Sequence, residues 1–223
     1  DFSKSGTGSS SCTIGTPSGS GATYTITLTG CSPGIVVLTL AANAVTNAVP
    51  QTAPASNTDA ATVIIDQTAP TISSVSAPAN KTYIPSETPT FTMVFSESVT
   101  VTGTPRLTLT VGTSTEYANF VSMSDSKTAL FRYTVATDSA EFDTDGISVS
   151  TTLDLNSGTI RDLATNALSV LTFPSVTTSS ILVAQPAAAP TIDSITATSG
   201  QLAIYFTPGD ARGSTTTTYQ YSA

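Results

Sequence analysis

Histidine is absent from this 223-residue chain, and its absence narrows the chemistry that the side chains can perform. Without an imidazole, the chain cannot assemble a Ser-His-Asp or Cys-His nucleophile system, nor any histidine-containing metal site. The glycines between residues 6 and 21 are scattered among serines and form no phosphate-binding loop. Carboxylates are therefore the remaining candidates for acid–base chemistry.

Four carboxylates cluster in one short segment, at Asp138, Glu141, Asp143 and Asp145. A carboxylate pair can hydrolyse glycosidic bonds, but it requires a cleft and a fixed separation, and the sequence indicates no cleft. Asp143 and Asp145 could instead bind calcium, which takes oxygen ligands from flexible loops, although the other ligands of an EF-hand loop are missing. We favour a solvated loop, and calcium at Asp143 and Asp145 remains the alternative.

Two further aspartates invite a calcium interpretation, because sites between extracellular repeats can stiffen a rod. Asp66 precedes a proline-containing connector, and Asp162 lies in a predicted turn. Asp66 could equally cap the connector, and Asp162 could form an Asx turn with the backbone two residues on. We favour these capping roles, with calcium at Asp66 and Asp162 left open.

Several tyrosines could line a sugar-binding surface: Tyr117, Tyr133, Tyr219 and Tyr221. Such residues more often pack in cores or across strands. The sequence offers no aromatic platform, so packing is the favoured interpretation and carbohydrate binding the alternative.

Cys12 and Cys31 are the two cysteines of the chain, and they lie in the same small segment. They could be free buried thiols. In a chain that is otherwise free of cysteine, acidic and rich in Ser and Thr, we favour a disulfide, which would imply an oxidising compartment. The pairing would leave no thiolate nucleophile.

The composition favours an all-β chain. Hydrophobic residues make up 39%, enough for real cores, whereas charged residues make up only 10%, well below the roughly 25% of typical soluble proteins. Ser and Thr fill the difference, and β-branched Thr suits the solvent face of a strand. The net charge of -8 argues against binding to nucleic acid or to anionic lipid.

An internal repeat gives the domain map. Ala69–Val75 reads A-P-T-I-S-S-V and Ala189–Ile195 reads A-P-T-I-D-S-I, so the copies start 120 residues apart (189 − 69), about one sandwich domain. We place domains at residues 1–67, 68–184 and 185–223.

The middle domain carries enough alternating segments for a complete sandwich. Seven or eight short strands are predicted there, the longest through Ala129, Phe131, Tyr133 and Val135. The first domain shows about four, including 23–29, and the third about three, including Leu202–Phe206 and Thr217–Tyr221. Helical periodicity is weak, at most one turn near Leu163–Leu168.

The middle domain resembles the bacterial immunoglobulin-like repeats found in tandem in very large surface and adhesin-like proteins. The segments that carry this resemblance are Asp66–Ile72, Phe95–Val99, Gly103–Leu109 and Gly158–Asn166. The last is similar to the family pattern G-T-I-x-D-x-A-G-N, with Thr165 in the place of the glycine.

The flanking domains carry partial resemblances. Asp1-Phe2, the Cys12–Cys31 segment and Ala41–Asn47 are similar to a related repeat that carries two cysteines. By that register, the first strands of the repeat would precede Asp1. Leu202–Pro208, Gly213-Ser214 and Tyr219–Tyr221 resemble the front of a fibronectin type III domain, with Phe206 where that family usually has Trp.

These resemblances imply structural spacer repeats in the stalk of a large extracellular bacterial surface protein or filament, joined by short proline-containing connectors. Without histidine or a free thiolate nucleophile, we expect no enzymatic activity. Two alternatives stay open: a ligand- or carbohydrate-binding adhesive module, and an accessory region of a secreted glycan-degrading enzyme. The implied partners are neighbouring repeats, or other copies by strand addition at open sheet edges. We expect the incomplete first and third domains to be parts of a longer polypeptide.

Overall fold

The computed structural model describes residues 2–21, 23–41 and 60–212. The chain divides into two compact units, Asp1–Thr68 and Ala69–Ala223, and each is described by itself. We call the first the N-terminal unit and residues 69–184 of the second the middle sandwich. The predicted strand at Thr217–Tyr221 lies outside the described residues, so it stays a prediction, as does a domain boundary after residue 184.

The N-terminal unit is built from a three-stranded antiparallel sheet and two small antiparallel pairs. The sheet has the order β1-β6-β7, and the pairs are β2–β5 and β3–β4. The strands are β1 (Phe2–Ser5), β2 (Thr13–Ile14), β3 (Ser18–Ser20), β4 (Thr23–Thr25), β5 (Leu28–Thr29), β6 (Gly34–Leu40) and β7 (Ala60–Ile65).

The single half-buried strand predicted at 23–29 is wrong. The segment instead forms two short strands, because β4 pairs with β3 whereas β5 pairs with β2. The change of partner interrupts the ladder at Ile26 and Thr27, and Tyr24 is left 59% exposed. Ser18–Ser20 form β3, the partner of β4.

The middle sandwich confirms the all-β prediction. Its large sheet has the order β15-β12-β13-β14-β10-β8, and two smaller sheets pair β11 with β16 and β9 with β17. The β9–β17 pair is parallel. The strands are β8 (Ile72–Ser76), β9 (Lys81–Tyr83), β10 (Thr90–Phe95), β11 (Val99–Thr102), β12 (Arg106–Val111), β13 (Ser114–Asp125), β14 (Thr128–Arg132), β15 (Ser148–Asp154), β16 (Thr159–Asp162) and β17 (Ile181–Val183), with one 3-10 turn at Ser139–Glu141.

The core of the middle sandwich follows from strict alternation along its strands. On β10 and β12 every second residue is buried, and the opposite face is partly or fully exposed. One apolar cluster takes in residues of the large sheet together with Val99, Ile160 and Ile181 from the smaller sheets. The sheets therefore share a single core, as sandwich packing requires.

The longest strand of the sandwich is not the predicted one. The segment through Ala129–Val135 forms β14 with only five residues, whereas β13 has twelve. β13 is polar in sequence, and its register against β14 shifts after Phe120 and again after Met123. Bulges of this kind break the two-residue period that marks a strand in sequence, so the prediction missed β13.

Beyond the sandwich, β18 (Thr191–Thr198) and β19 (Gln201–Thr207) form an antiparallel hairpin. The predicted strand at Leu202–Phe206 is confirmed as part of β19. Cross-strand pairing places Ile192 opposite Phe206 and Ile195 opposite Ile204, and all four side chains are exposed. The weak helical periodicity near Leu163–Leu168 corresponds to no helix among the described residues. None of the helical structure described is long and apolar enough to span a membrane.

Candidate functional site

Asp143 accepts more hydrogen bonds from backbone amides than the other three clustered carboxylates do. Its side chain is buried. Oδ2 accepts a hydrogen bond from the Gly112 amide at 2.9 Å, and Oδ1 accepts from the amides of Asp145 and Gly146 at 3.2 and 2.7 Å. Three backbone donors therefore surround the carboxylate, which ties the β12–β13 turn to its own loop.

Two glycines make this arrangement possible. Gly112 and Gly146 have φ values of 56° and 102°, in the region that favours glycine. A Cβ on Gly112 would lie 2.5 Å from the Phe142 carbonyl oxygen, and one on Gly146 would lie 2.4 Å from the Ser179 Cα. The backbone thus approaches Asp143 closely only because neither residue has a side chain.

Glu141 is buried beneath the same loop. Its Oε2 accepts hydrogen bonds from the Tyr133 hydroxyl and from the Ala136 amide, the latter at 2.9 Å. Burial, together with the Glu141 carboxylate, raises the pKa of Tyr133 well above its ordinary value. The predicted core role of Tyr133 is therefore confirmed, with its hydroxyl serving as a hydrogen-bond donor.

Glu116 lies on β13 and faces this acidic group. Burial raises the pKa of Glu116, and the charges of Glu141 and Asp138 raise it further. Among the described residues, no three carboxylates of the 138–145 segment come within 4.8 Å of one another. The solvated loop favoured from the sequence is therefore wrong at Glu141 and Asp143, which are buried and accept hydrogen bonds. Calcium at Asp143 and Asp145 stays a prediction.

Asp162 organises the turn after β16, where its side chain is buried. Its Oδ1 accepts from the Asn166 amide at 2.8 Å, and its Oδ2 accepts from the Asn166 side-chain amide at 2.7 Å. A carboxylate oxygen of Glu97 lies within 4.8 Å of one of Asp162. The two-residue Asx turn predicted for Asp162 is therefore wrong, because its side chain accepts from the backbone four residues on. Calcium at Asp162 stays a prediction.

Thr165 completes that turn with a φ of 73°. Its amide donates to the Asp162 carbonyl at 3.2 Å. This conformation suits glycine and is costly for a β-branched residue. The left-handed geometry explains why a glycine stands at this position in the pattern that the turn resembles.

Asp66 acts as predicted within the N-terminal unit, where its Oδ1 accepts from the Thr68 amide at 2.9 Å. This two-residue reach is the capping geometry of an Asx turn. A calcium role for Asp66 stays a prediction.

Cys12 and Cys31 form a disulfide, as predicted. Ser11 and Ser32, which lie beside the two cysteines in sequence, are hydrogen-bonded through their hydroxyls at 2.6 Å. Next to the bridge, an open cavity of about 560 Å³ is lined by Cys31 and by apolar residues that include Ile26, Leu28, Val36 and Val63. The bridge thus closes the loop between Cys12 and Cys31 next to this cavity.

Tyr117 lies on the outer face of the large sheet. The Arg106 guanidinium carbon lies 3.9 Å from the centre of its ring, and Arg106 Nε donates to Asp154 Oδ2 at 2.7 Å. Arg106 also lowers the pKa of Asp154. Tyr117 therefore packs across strands, as predicted, while Tyr219 and Tyr221 lie outside the described residues.

Comparisons with known proteins give a sparse result. No family model matches the chain, and no curated protein matches it. Among solved structures, the chain is similar to the structure of FdeC, which is described as a broadly conserved Escherichia coli adhesin. The sequence identity is 16% and the TM-score is 0.36. The match covers 79% of this chain and 52% of FdeC, so the chain spans about half the length of that structure.

Proposed function

We propose that this chain supplies structural spacer domains to an extracellular bacterial surface protein or filament of the adhesin-like kind. The observation that carries the proposal is that the buried carboxylates of Asp143 and Asp162 are hydrogen-bonded within turns. Asp143 is surrounded by three backbone amides, and Asp162 is bonded to Asn166 through both oxygens. Groups committed to holding turns are poorly placed to bind substrate or transfer protons.

An extracellular location is supported by the Cys12–Cys31 bridge, because disulfides persist mainly in oxidising compartments. The sparse lysines and arginines, seven in all, also leave few cleavage sites for trypsin-like proteases. Both properties suit a domain exposed outside the cell.

The absence of catalysis is part of the proposal and is tested with residues 1–223. We expect no turnover in a broad screen of glycosidase and esterase substrates. Turnover that Glu141→Gln or Asp143→Asn abolishes, in variants whose circular dichroism spectra match that of the original chain, would overturn the proposal.

A ligand-binding role is the second candidate, favoured by a partly exposed polar row on the large sheet. Asp154, Arg106, Asn119 and Arg132 face one another across four neighbouring strands. A glycan array probed with residues 1–223 separates the two candidates. The spacer proposal predicts no binding, whereas binding that is lost in Arg132→Ala would favour the adhesive module.

Calcium could stiffen such a spacer, through Asp66, Asp162 or the Asp143–Asp145 loop. A ligand that binds only the folded state raises the melting temperature by mass action. If calcium binds, chelator lowers the melting temperature of residues 1–223. An unchanged melt would leave these aspartates with their turn-forming roles alone.

A further inference from the structure

Gln185 is the residue at which the chain leaves the middle sandwich, and its side chain is 2% exposed. Its Nε2 donates to the Ala136 carbonyl at 3.0 Å, across 49 residues of sequence. A glutamine of this kind in a short connector would ordinarily be solvated, since polar side chains are seldom fully buried without a role. The connector is thus held to the sandwich by a buried side chain.

The Ala136 backbone, which accepts the hydrogen bond from Gln185, is held in place by buried side chains. The amide of Ala136 donates to Glu141, and the same carboxylate oxygen accepts the Tyr133 hydroxyl. Glu141 and Tyr133 are both buried. The Ala136 carbonyl is therefore presented to Gln185 by a residue whose own position is set from inside the sandwich.

The backbone of the connector is bonded on its other side to the segment that follows the terminal hairpin, β18–β19. The Gln185 amide donates to the Arg212 carbonyl at 3.2 Å, and the Ala188 amide donates to the Asp210 carbonyl at 2.8 Å. A Cβ on Gly209 would lie 2.0 Å from the Ala188 carbonyl oxygen, so this approach requires glycine. The connector is thus hydrogen-bonded along its backbone to residues 209–212, which we call the base of the hairpin.

We propose that Gln185 is a latch that locks the connector and the base of the terminal hairpin onto the middle sandwich. One feature makes the latch releasable: Gln185 Oε1 is buried and accepts no hydrogen bond from any described residue. An unpaired buried oxygen offsets part of what the Nε2 bond contributes. The latch therefore opens without unfolding the sandwich, and it sets the stiffness of this junction.

This inference deepens the spacer proposal, since a spacer depends on stiff junctions, but it is tested separately. Limited trypsin digestion of residues 1–223 provides the readout, because Arg212 lies at the latched segment and Arg132 lies in β14. Cleavage after Arg212 reports opening of the latch, and cleavage after Arg132 reports unfolding of the sandwich. Their ratio separates local release from global loss of stability.

In Gln185→Ala the Ala136 carbonyl loses its donor, a cost that removal of the unpaired Oε1 offsets only in part. We therefore expect the ratio of Arg212 to Arg132 cleavage to rise about fivefold when cleavage follows the open population. Gln201→Ala, the same change at an exposed glutamine of β19, should leave the ratio unchanged. A ratio in Gln185→Ala within twofold of the original would overturn the latch.

Gln185→Glu provides a second, independent readout. An ionised glutamate cannot donate to the Ala136 carbonyl, whereas a protonated one can. Amide-exchange protection of Ala188 should therefore be lost at pH 7 and recover at pH 4 in this variant, while the original chain keeps it at both. Equal protection of Ala188 at the two pH values in Gln185→Glu would contradict the latch. Turnover or glycan binding by the chain would refute the spacer proposal and leave both latch readouts standing.

Discussion

Twenty buried apolar residues form one cluster in the middle sandwich, whereas the described part of the N-terminal unit buries only Cys12 and Val36 among its apolar side chains. The described part of that unit has a disulfide beside an open cavity of about 560 Å³. Small domains that bury little apolar surface commonly depend on such cross-links. The contrast shows that two β units of one chain can be stabilised differently, one by an apolar cluster and the other by a disulfide.

Truncating a core side chain of the middle sandwich tests this contrast with the largest expected effect. Phe131 is fully buried in β14 and packs edge-on against Phe120, with ring centres 5.9 Å apart. Phe131→Ala should lower the free energy of unfolding of the middle sandwich by about 3–5 kcal/mol. Denaturant unfolding followed by near-ultraviolet circular dichroism measures this, and Val121→Ala, at a largely exposed position, is the control. A loss below 1 kcal/mol would mean that the cluster is not the main stabilising element.

The disulfide is the corresponding element of the N-terminal unit. Cys12→Ser with Cys31→Ser should lower the stability of that unit by about 3 kcal/mol, the value for a closed loop of roughly 20 residues. The transition of the middle sandwich should stay where it was. Amide exchange resolved by residue distinguishes the two units, and equal losses of protection in both would contradict the contrast.

Thr165 tests whether backbone strain is present in the better-packed unit. Thr165→Gly should raise the stability of the middle sandwich by about 1 kcal/mol, since a left-handed non-glycine residue costs 1–3 kcal/mol and the added freedom of the unfolded chain recovers part of that. Thr100→Gly, within β11, should destabilise instead. Thermal melts compare the two variants, and a destabilised Thr165→Gly would show that the turn carries no such strain.

The smallest expected effect concerns the acidic group at Glu116. Because its pKa is raised in the folded state, the folded chain binds this proton more tightly, so stability rises as pH falls from 7 and levels off below its ordinary value of 4.5. Asp154 has a lowered pKa, so its contribution is lost only as pH falls below its ordinary value of 3.8.

Melting temperatures between pH 7 and pH 3 measure both effects. Glu116→Gln should remove the rise on mild acidification, and Asp154→Asn should remove part of the loss at lower pH. A rise that persists undiminished in Glu116→Gln would assign it to another carboxylate.

The sequence predicted the sandwich well because its core strands alternate strictly, as on β10 and β12, and alternation is a local property. It missed β13, whose bulges break that period, and it could not foresee that β4 and β5 take different partners. The turn role of Asp66 was readable because the bond spans two residues. The Gln185 contact was not readable, because Ala136 lies 49 residues away and nothing local marks it.

The central claim is that these domains act as spacers and not as binding or catalytic modules. It is tested most directly on cells that display the parent protein, by replacing residues 69–184 with an unrelated sandwich of equal length and, separately, by deleting them. The account predicts that the replacement preserves binding of the cells to their target and that the deletion weakens it. Loss of binding in the replacement, with equal display on the cell surface, would contradict the account.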